Sequence, residues 1–338
     1  MGSEMCIRDS ANGRFFGTAV GTADLQTDPA LMAHVADEAG MVVGEYQFKW
    51  AALHPKPHEY AFAAADQLVA WAQSRGLQVR GHTLLWNQSN PAWLAQACAT
   101  PAAAAATLSS HIATVCGHFR DRLVHWDVTN EVLSGATERA DGLRDSPWAR
   151  ALGTNLLDLA FAATAAADPA ALRVMNEDQI EYTWDKHTRK RERLLAALAG
   201  MRARGVPVQA LGMQAHLIAG VKEFAPRVIR DFVASVRALG VEVLVTELDV
   251  ADHRLPANVA LRDAEVAAHA RAYLDAVLDG GGVLGVLTWG LSDRRSWLNQ
   301  QHARADGLAQ RALPLDQDLR PKPLHTAIAE ALRTAPPR

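Results

Sequence analysis

The feature that most constrains this chain is a repeated change of hydrophobic period. From Phe15 onward, short β-type runs alternate with longer helical patterns, and the alternation recurs eight times. The runs are FFGTAV (15–20), MVVGE (41–45), LQVRGHT (77–83), LVHWDVTNE (123–131), LRVMNE (172–177), VQALGMQAH (208–216), VEVLVTELDV (241–250) and VLGVLTWG (283–290). Most are rich in β-branched residues and apolar on both faces, as strands of a buried parallel sheet are. Between them lie helical stretches such as PALMAHVADEAG, LSSHIATVCGHFRDR and AEVAAHARAYLDAVLDGG. Several end in Gly near a basic residue and lead straight into the next strand (SRGLQV, ARGVPV), a helix C-terminal signature. Eight such units in succession predict an α/β protein, a single-domain (β/α)8 TIM barrel.

The bulk numbers agree. With 338 residues, 49% hydrophobic and 21% charged, the chain suits one large barrel. No Pro/Ser-rich linker divides it after residue 11. A net charge of −3 gives no reason to expect nucleic acid or an anionic membrane as partner. No apolar run approaches the ~18 residues of a membrane span. The three cysteines, Cys6, Cys98 and Cys116, show no metal-type spacing; a Cys98–Cys116 disulfide stays open, with two buried free thiols the favoured expectation. Nine Trp against four Tyr supplies flat apolar faces of the kind sugar rings stack on.

The opening MGSEMCIRDS matches nothing after it in pattern. Met5 to Asp9 back-translates as ATG TGT ATA AGA GAC, which resembles the end sequence recognised by a transposase used to prepare sequencing libraries. Residues 1–10 are therefore expected to be translated adapter, and residues 11–338 the barrel. Any native leader would lie upstream of that join.

In an α/β barrel the C-terminal ends of the strands form the active-site face. The unusual polar residues of this chain fall at those ends: Glu45 with Lys49; His82 with Trp86; Asn130 and Glu131; Asn176 and Glu177; Gln214 and His216; Glu247 and Asp249; Trp289 with Asp293 and Trp297. A lone His or Glu at a strand end is more often structural, but seven strands ending this way on one face require a common use. Glu131 and Glu247 end the fourth and seventh strands, nearly opposite each other. Paired carboxylates flanking a substrate are what glycoside hydrolysis needs, one to protonate the leaving oxygen and one to attack or to activate water. Metal binding is the weaker use, since the histidines do not cluster with these acids at ligand spacing. No cofactor is implied.

With those residues in view, the sequence resembles glycoside hydrolase family 10, the endo-β-1,4-xylanase family, from about residue 15 to residue 332. GHTLLW, WDVTNE, GMQAHL, TELDV, WGLSD..SW and the terminal RPKP occur in family order. The resemblance implies a retaining mechanism, with Glu131 as general acid/base and Glu247 as nucleophile. His216 is then the donor that keeps Glu247 ionised, oriented by Asp249. Asn130 is implied to bind the sugar 2-OH. His82, Lys49 and Gln214 are implied to contact the sugars at subsites −1 and −2, with Glu45 in the same set. Asp127 is expected to hold the tautomer of His82. Trp289, Trp297 and Trp86 are expected to wall the −1 sugar.

Two positions depart from the family pattern. Tyr46 stands where the strand-two motif has Asn, and Asn87-Gln88-Ser89 replaces His-Ser-Gln after GHTLLW. The resemblance puts both changes at the −2 subsite, so catalysis is expected to be retained and glycan choice altered, toward a decorated xylan or a β-linked exopolysaccharide. The competing readings are a non-catalytic glycan-binding barrel and a transglycosylase. A polysaccharide substrate places the protein in the periplasm or the medium, and a monomer is expected.

Overall fold

The structure is a computed structural model and describes residues 13–21, 23–136 and 139–338. The opening segment read as adapter lies outside these residues. The described strands are β1 (Phe15–Val20), β2 (Met41–Gly44), β3 (Gln78–Gly81), β4 (His125–Asn130), β5 (Leu172–Glu177), β6 (Ala210–Met213), β7 (His216–Ile218), β8 (Glu242–Ala251) and β9 (Val283–Thr288). β1 to β6 pair in sequence order, β6 pairs with β8, β8 with β9, and β9 with β1, every pairing parallel. The sheet therefore closes into an eight-stranded barrel, as the eightfold alternation predicts.

One predicted strand is corrected. The run 208–216 is not continuous: β6 stops at Met213, and the chain turns at Ala215, which has φ +62°. His216 then begins β7, which lies outside the ring against β8, with His216 opposite Asp249. The expected strand ends are also shorter. Glu45, His82 and Glu131 stand just past β2, β3 and β4.

Helices lie between successive strands of the ring, and local sequence starts them. Asp28, Thr100 and Ser146 each accept a hydrogen bond from a first-turn amide, and each is followed by proline at the first helical position. Their apolar stripes cover the barrel. The helix Pro226–Ala238, for example, buries Ile229, Phe232, Val233 and Val236, a spacing that places all four on one face. Each such side chain contributes about 1.5–3 kcal/mol on full burial. The Ala run at 102–106 sits in the helix Pro101–Phe119, mostly exposed. Cys98 and Cys116 are free and buried, as expected.

Inside the barrel, side chains alternate with those facing the helices. Val243 and Val245 join the large helix-covered core, whereas Leu244 joins a small inner cluster with Val174, Ala210 and Leu284. Above it, polar residues take over. Two irregularities bring extra side chains inward. The β4–β5 register shifts between Asp127 and Thr129, and the β8–β9 register shifts between Val245 and Leu248. Regular alternation cannot turn both Asp127 and Asn130, or both Thr246 and Glu247, to the same face. The bulges do so.

Candidate active site

The C-terminal rim of the barrel carries an almost continuous polar network. Glu247 lies on β8 with its side chain 6% exposed. Its Oε1 accepts from Asn176 Nδ2 at 2.7 Å, and its Oε2 lies 3.2 Å from His216 Nε2. The other ring nitrogen, His216 Nδ1, lies 3.0 Å from Asp249 Oδ1, and Trp297 Nε1 donates to Asp249 Oδ2 at 2.7 Å. Burial pushes the Glu247 carboxyl up, but the hydrogen bond from His216, the nearby His82 and Asn176 outweigh it and hold it below the usual value. Burial pushes His216 down, and Asp249 with Glu247 more than reverses this, so it stays protonated well above the usual imidazole range. The arrangement is a carboxylate kept ionised by an imidazolium, which is itself fixed by a second carboxylate.

Glu131 stands across this network, 13% exposed. Its φ of +51° is uncommon for a residue with a side chain and marks stored backbone strain. Its amide donates to Asn176 O at 2.8 Å, and the next two amides, of Val132 and Leu133, donate to Glu177 Oε1 at 3.0 and 3.1 Å. Those bonds hold the turn that lifts the carboxylate off the strand. Glu131 Oε1 accepts from Gln214 Nε2 at 3.2 Å and from Asn130 Nδ2 at 3.3 Å. Asn130 Oδ1 in turn accepts from Asn176 Nδ2 at 2.8 Å and Gln214 Nε2 at 3.2 Å. Glu131 and Glu247 are thus linked through Asn130 and Asn176.

His82 Nδ1 lies 2.9 Å from Asp127 Oδ2, the expected tautomer-fixing contact, and Arg80 pairs with the same carboxylate. His82 packs edge-on to Trp289, with centroids 5.2 Å apart. Lys49 Nζ sits 4.6 Å from the centroid of Trp86 and 5.9 Å from those of Trp289 and Tyr46. Burial lowers its pKa, against the pull of Glu247, Glu45 and Glu131. Glu45 is pushed up to about 7 by burial and by Asp24 beside it, despite Lys49. Among the described residues no group of three or more His, Cys, Asp or Glu is placed to hold a metal ion, and none is needed for paired-carboxylate chemistry.

The sequence matches the family described as Glycosyl hydrolase family 10 over residues 6–331. The chain belongs to glycosyl hydrolase family 10. This family 10 chain is 32% identical to endo-1,4-beta-xylanase B of Paenibacillus barcinonensis, with 92% of this chain and 93% of that protein covered. It is 31% identical to endo-1,4-beta-xylanase 5 of Pyricularia oryzae, over 95% of this chain and 76% of the relative. Its fold is similar to that of native xylanase 10B from Thermotoga maritima, with a TM-score of 0.86, 28% identity, and 96% and 97% of the two chains covered.

In this family 10 chain the structure gathers Glu131, Glu247, His216, Asp249, Asn130, Asp127, His82, Gln214, Trp297 and Trp289 into one connected set, joined by Asn176 and by His82, whose Nδ1 lies 4.0 Å from Glu247 Oε1. The Gln214 amide donates to both Asn130 and Glu131. Ser89 is tied in by its main chain: its carbonyl accepts from Ala51 N at 2.8 Å, and its φ is +51°. Tyr46 is 48% exposed beside Lys49. Asp293 is structural, paired with Lys322 of the RPKP turn at 2.6 Å and accepting from Leu313 N. Two residues outside the expected set enter it. Asn176 bridges the two halves, and Arg144 Nη1 lies 3.4 Å from Glu131 Oε2. Asn176 was visible as a polar strand end. Arg144 lies in DGLRDSPWARALG, a segment after β4 that resembles the family's, but nothing local signals its contact with Glu131.

Proposed function

We propose that this protein is a retaining endo-β-1,4-glycosidase of xylanase type, acting on xylan or a related β-linked polysaccharide by double displacement. The observation that carries this reading is the unequal treatment of two carboxylates on one rim. Glu247 is held ionised by His216 and Asn176, as a nucleophile must be. Glu131 is held by neutral amides on Oε1, which leaves Oε2 toward the side of Arg144. In the first step Glu247 attacks the anomeric carbon, while the Glu131 proton passes to the departing glycosidic oxygen. In the second, Glu131 takes a proton from water, the water oxygen bonds to the anomeric carbon, and Glu247 leaves as carboxylate.

The remaining residues fit substrate contacts. Asn130 is the candidate for the 2-OH, His82 and Lys49 for the −1 and −2 hydroxyls, and Trp86, Trp289 and Trp297 for apolar walls. On the donor side, exposed Tyr46 and the main-chain-tied Ser89 favour a glycan other than plain linear xylan. Equal or better turnover of linear xylohexaose than of every other β-glycan would remove that preference. A polymer substrate puts the site of action outside the cytoplasm, and we propose a monomer. Among the described residues no helix is long and apolar enough to cross a membrane. The test of the function is a panel of β-glycans digested by the purified protein with Glu247→Ala as control. Release of xylo-oligosaccharides or other β-linked fragments, lost in the variant, supports the reading, whereas binding without turnover favours a glycan-binding barrel.

A further inference from the structure

Glu131 has an ionic neighbour that neither carboxylate chemistry nor substrate contact accounts for. Arg144, on the loop after β4, reaches to 3.4 Å from Glu131 Oε2 through Nη1. Its Nη2 forks onto Asp178, at 2.8 and 3.0 Å from the two carboxylate oxygens. Asp178 is also paired with Lys190, whose ammonium bridges to Glu177 Oε2 at 2.6 Å. Glu177 is the group that clamps the Val132 and Leu133 amides. One chain of charges, drawn from β5 and the helix Asp185–Ala203, therefore fixes both the turn that presents Glu131 and the cation that faces it.

We propose that Arg144 is a positioning residue that acts through Glu131, setting how readily this carboxyl gives up and takes back its proton. The proposal rests on the reading of Glu131 as acid/base. A guanidinium stays charged throughout the working range. Placed beside a carboxyl it favours the carboxylate. It thus assists the first step, in which Glu131 becomes a carboxylate, and restrains the second, in which the carboxylate must accept a proton. Asp178 moderates the effect by taking the other arm of the fork, and Lys190 keeps Asp178 in place. The remaining charges facing this region are Glu177 from β5, Glu247 from β8, and Lys49 beyond β2, which also interacts with Glu131. None of these replaces Arg144 at Oε2. The contact is an ion-pair distance rather than a short hydrogen bond, so Oε2 is free to carry the proton toward a leaving oxygen.

The test is the pH profile of kcat/KM on a linear xylo-oligosaccharide, which needs leaving-group protonation, beside an activated aryl β-xylobioside, which does not. Arg144→Gln is expected to move the alkaline limb upward, and to lower kcat/KM on the oligosaccharide several-fold more than on the aryl substrate. Arg144→Lys keeps the charge and is expected to keep the limb near its original position. Asp178→Asn, which frees the guanidinium from its counter-ion, is expected to move the limb the opposite way. Limbs unmoved in both Arg144→Gln and Asp178→Asn overturn the proposal. So do equal losses on the two substrates with an unchanged profile. If Arg144→Gln fails to fold by thermal melting, the direction of the Asp178→Asn shift decides alone. Glu131→Ala separates the two readings: retained turnover of the oligosaccharide in that variant rejects Glu131 as acid/base, irrespective of Arg144.

Discussion

Asn176 donates both hydrogens of its side-chain amide across the catalytic face, one to Glu247 Oε1 at 2.7 Å and one to Asn130 Oδ1 at 2.8 Å. Its own carbonyl accepts from Thr246 Oγ1 at 2.6 Å, which fixes which way the amide points. Thr246 and Glu247 reach the same Asn only because β8 is irregular there. Gly212 completes the arrangement, since a Cβ at that position would collide with Asn176 Oδ1 and come within 2.9 Å of Thr246 Cγ2.

Removing that donor should be felt in chemistry. Asn176→Ala is expected to lower kcat by about 10²-fold, the usual scale for loss of one preorganised donor. Gly212→Ala should lower it in the same direction by displacing Asn176. Steady-state kinetics on a xylo-oligosaccharide checks both, and a variant of Asn176 with wild-type kcat contradicts the assignment.

The His216 pair predicts a pH effect with a definite sign. Burial alone raises the Glu247 carboxyl, and the His216 bond is the first influence opposing it. In His216→Ala the burial is left unopposed by that partner, so Glu247 protonates at higher pH. The acid limb of kcat/KM should therefore move toward neutrality, with a fall in kcat. Trp297→Phe keeps an aromatic wall but removes the donor to Asp249 Oδ2, and should shift the same limb by less. An unmoved acid limb in His216→Ala would falsify the role given to His216.

Stability should depend on Lys190. Lys190 and Glu177 are fully buried and Asp178 nearly so, and breaking a buried ion pair by deleting one partner costs about 3–5 kcal/mol. Lys190→Met is expected to lower Tm accordingly. The acid response follows from Asp178. Burial pushes this carboxyl up, but Lys190 and Arg144 together hold it well below the usual carboxylate range. Its stabilising contribution is therefore present above that ordinary value and is lost as pH falls toward the depressed one. Melting curves from neutral to acid pH should fall less steeply in Lys190→Met than in the parent.

Donor-side choice should follow Tyr46 and Ser89. Tyr46→Asn combined with Ser89→Gln restores the amides that the family motif carries there. The double variant is expected to raise the ratio of kcat/KM for linear xylohexaose over decorated or other β-glycans. A ratio unchanged from the parent removes these two positions as determinants.

Much of this was legible in the residues. Strand-end polarity picked out Glu131, Glu247, His216 and Gln214, because in a closed parallel sheet one end of every strand opens on the same face. The His82–Asp127 and His216–Asp249 contacts follow from a charged group needing a partner when buried. What the sequence did not disclose is how odd-numbered spacings were reconciled. Asp127 with Asn130 requires a bulge, Glu131 a left-handed turn, and His216 a break after β6, and none of these has a glycine or proline to announce it. Arg144 was hidden for a different reason. Its partners lie 13 and 34 residues away, and only the packed loop brings them together.

Retention through Glu247 is decided by proton NMR of the first product released. Digestion of a linear xylo-oligosaccharide should release a reducing end that is β at the earliest times and only later mutarotates to α, with no release by Glu247→Ala. An α-anomer at the earliest times, or undiminished turnover in Glu247→Ala, rules out retention through Glu247.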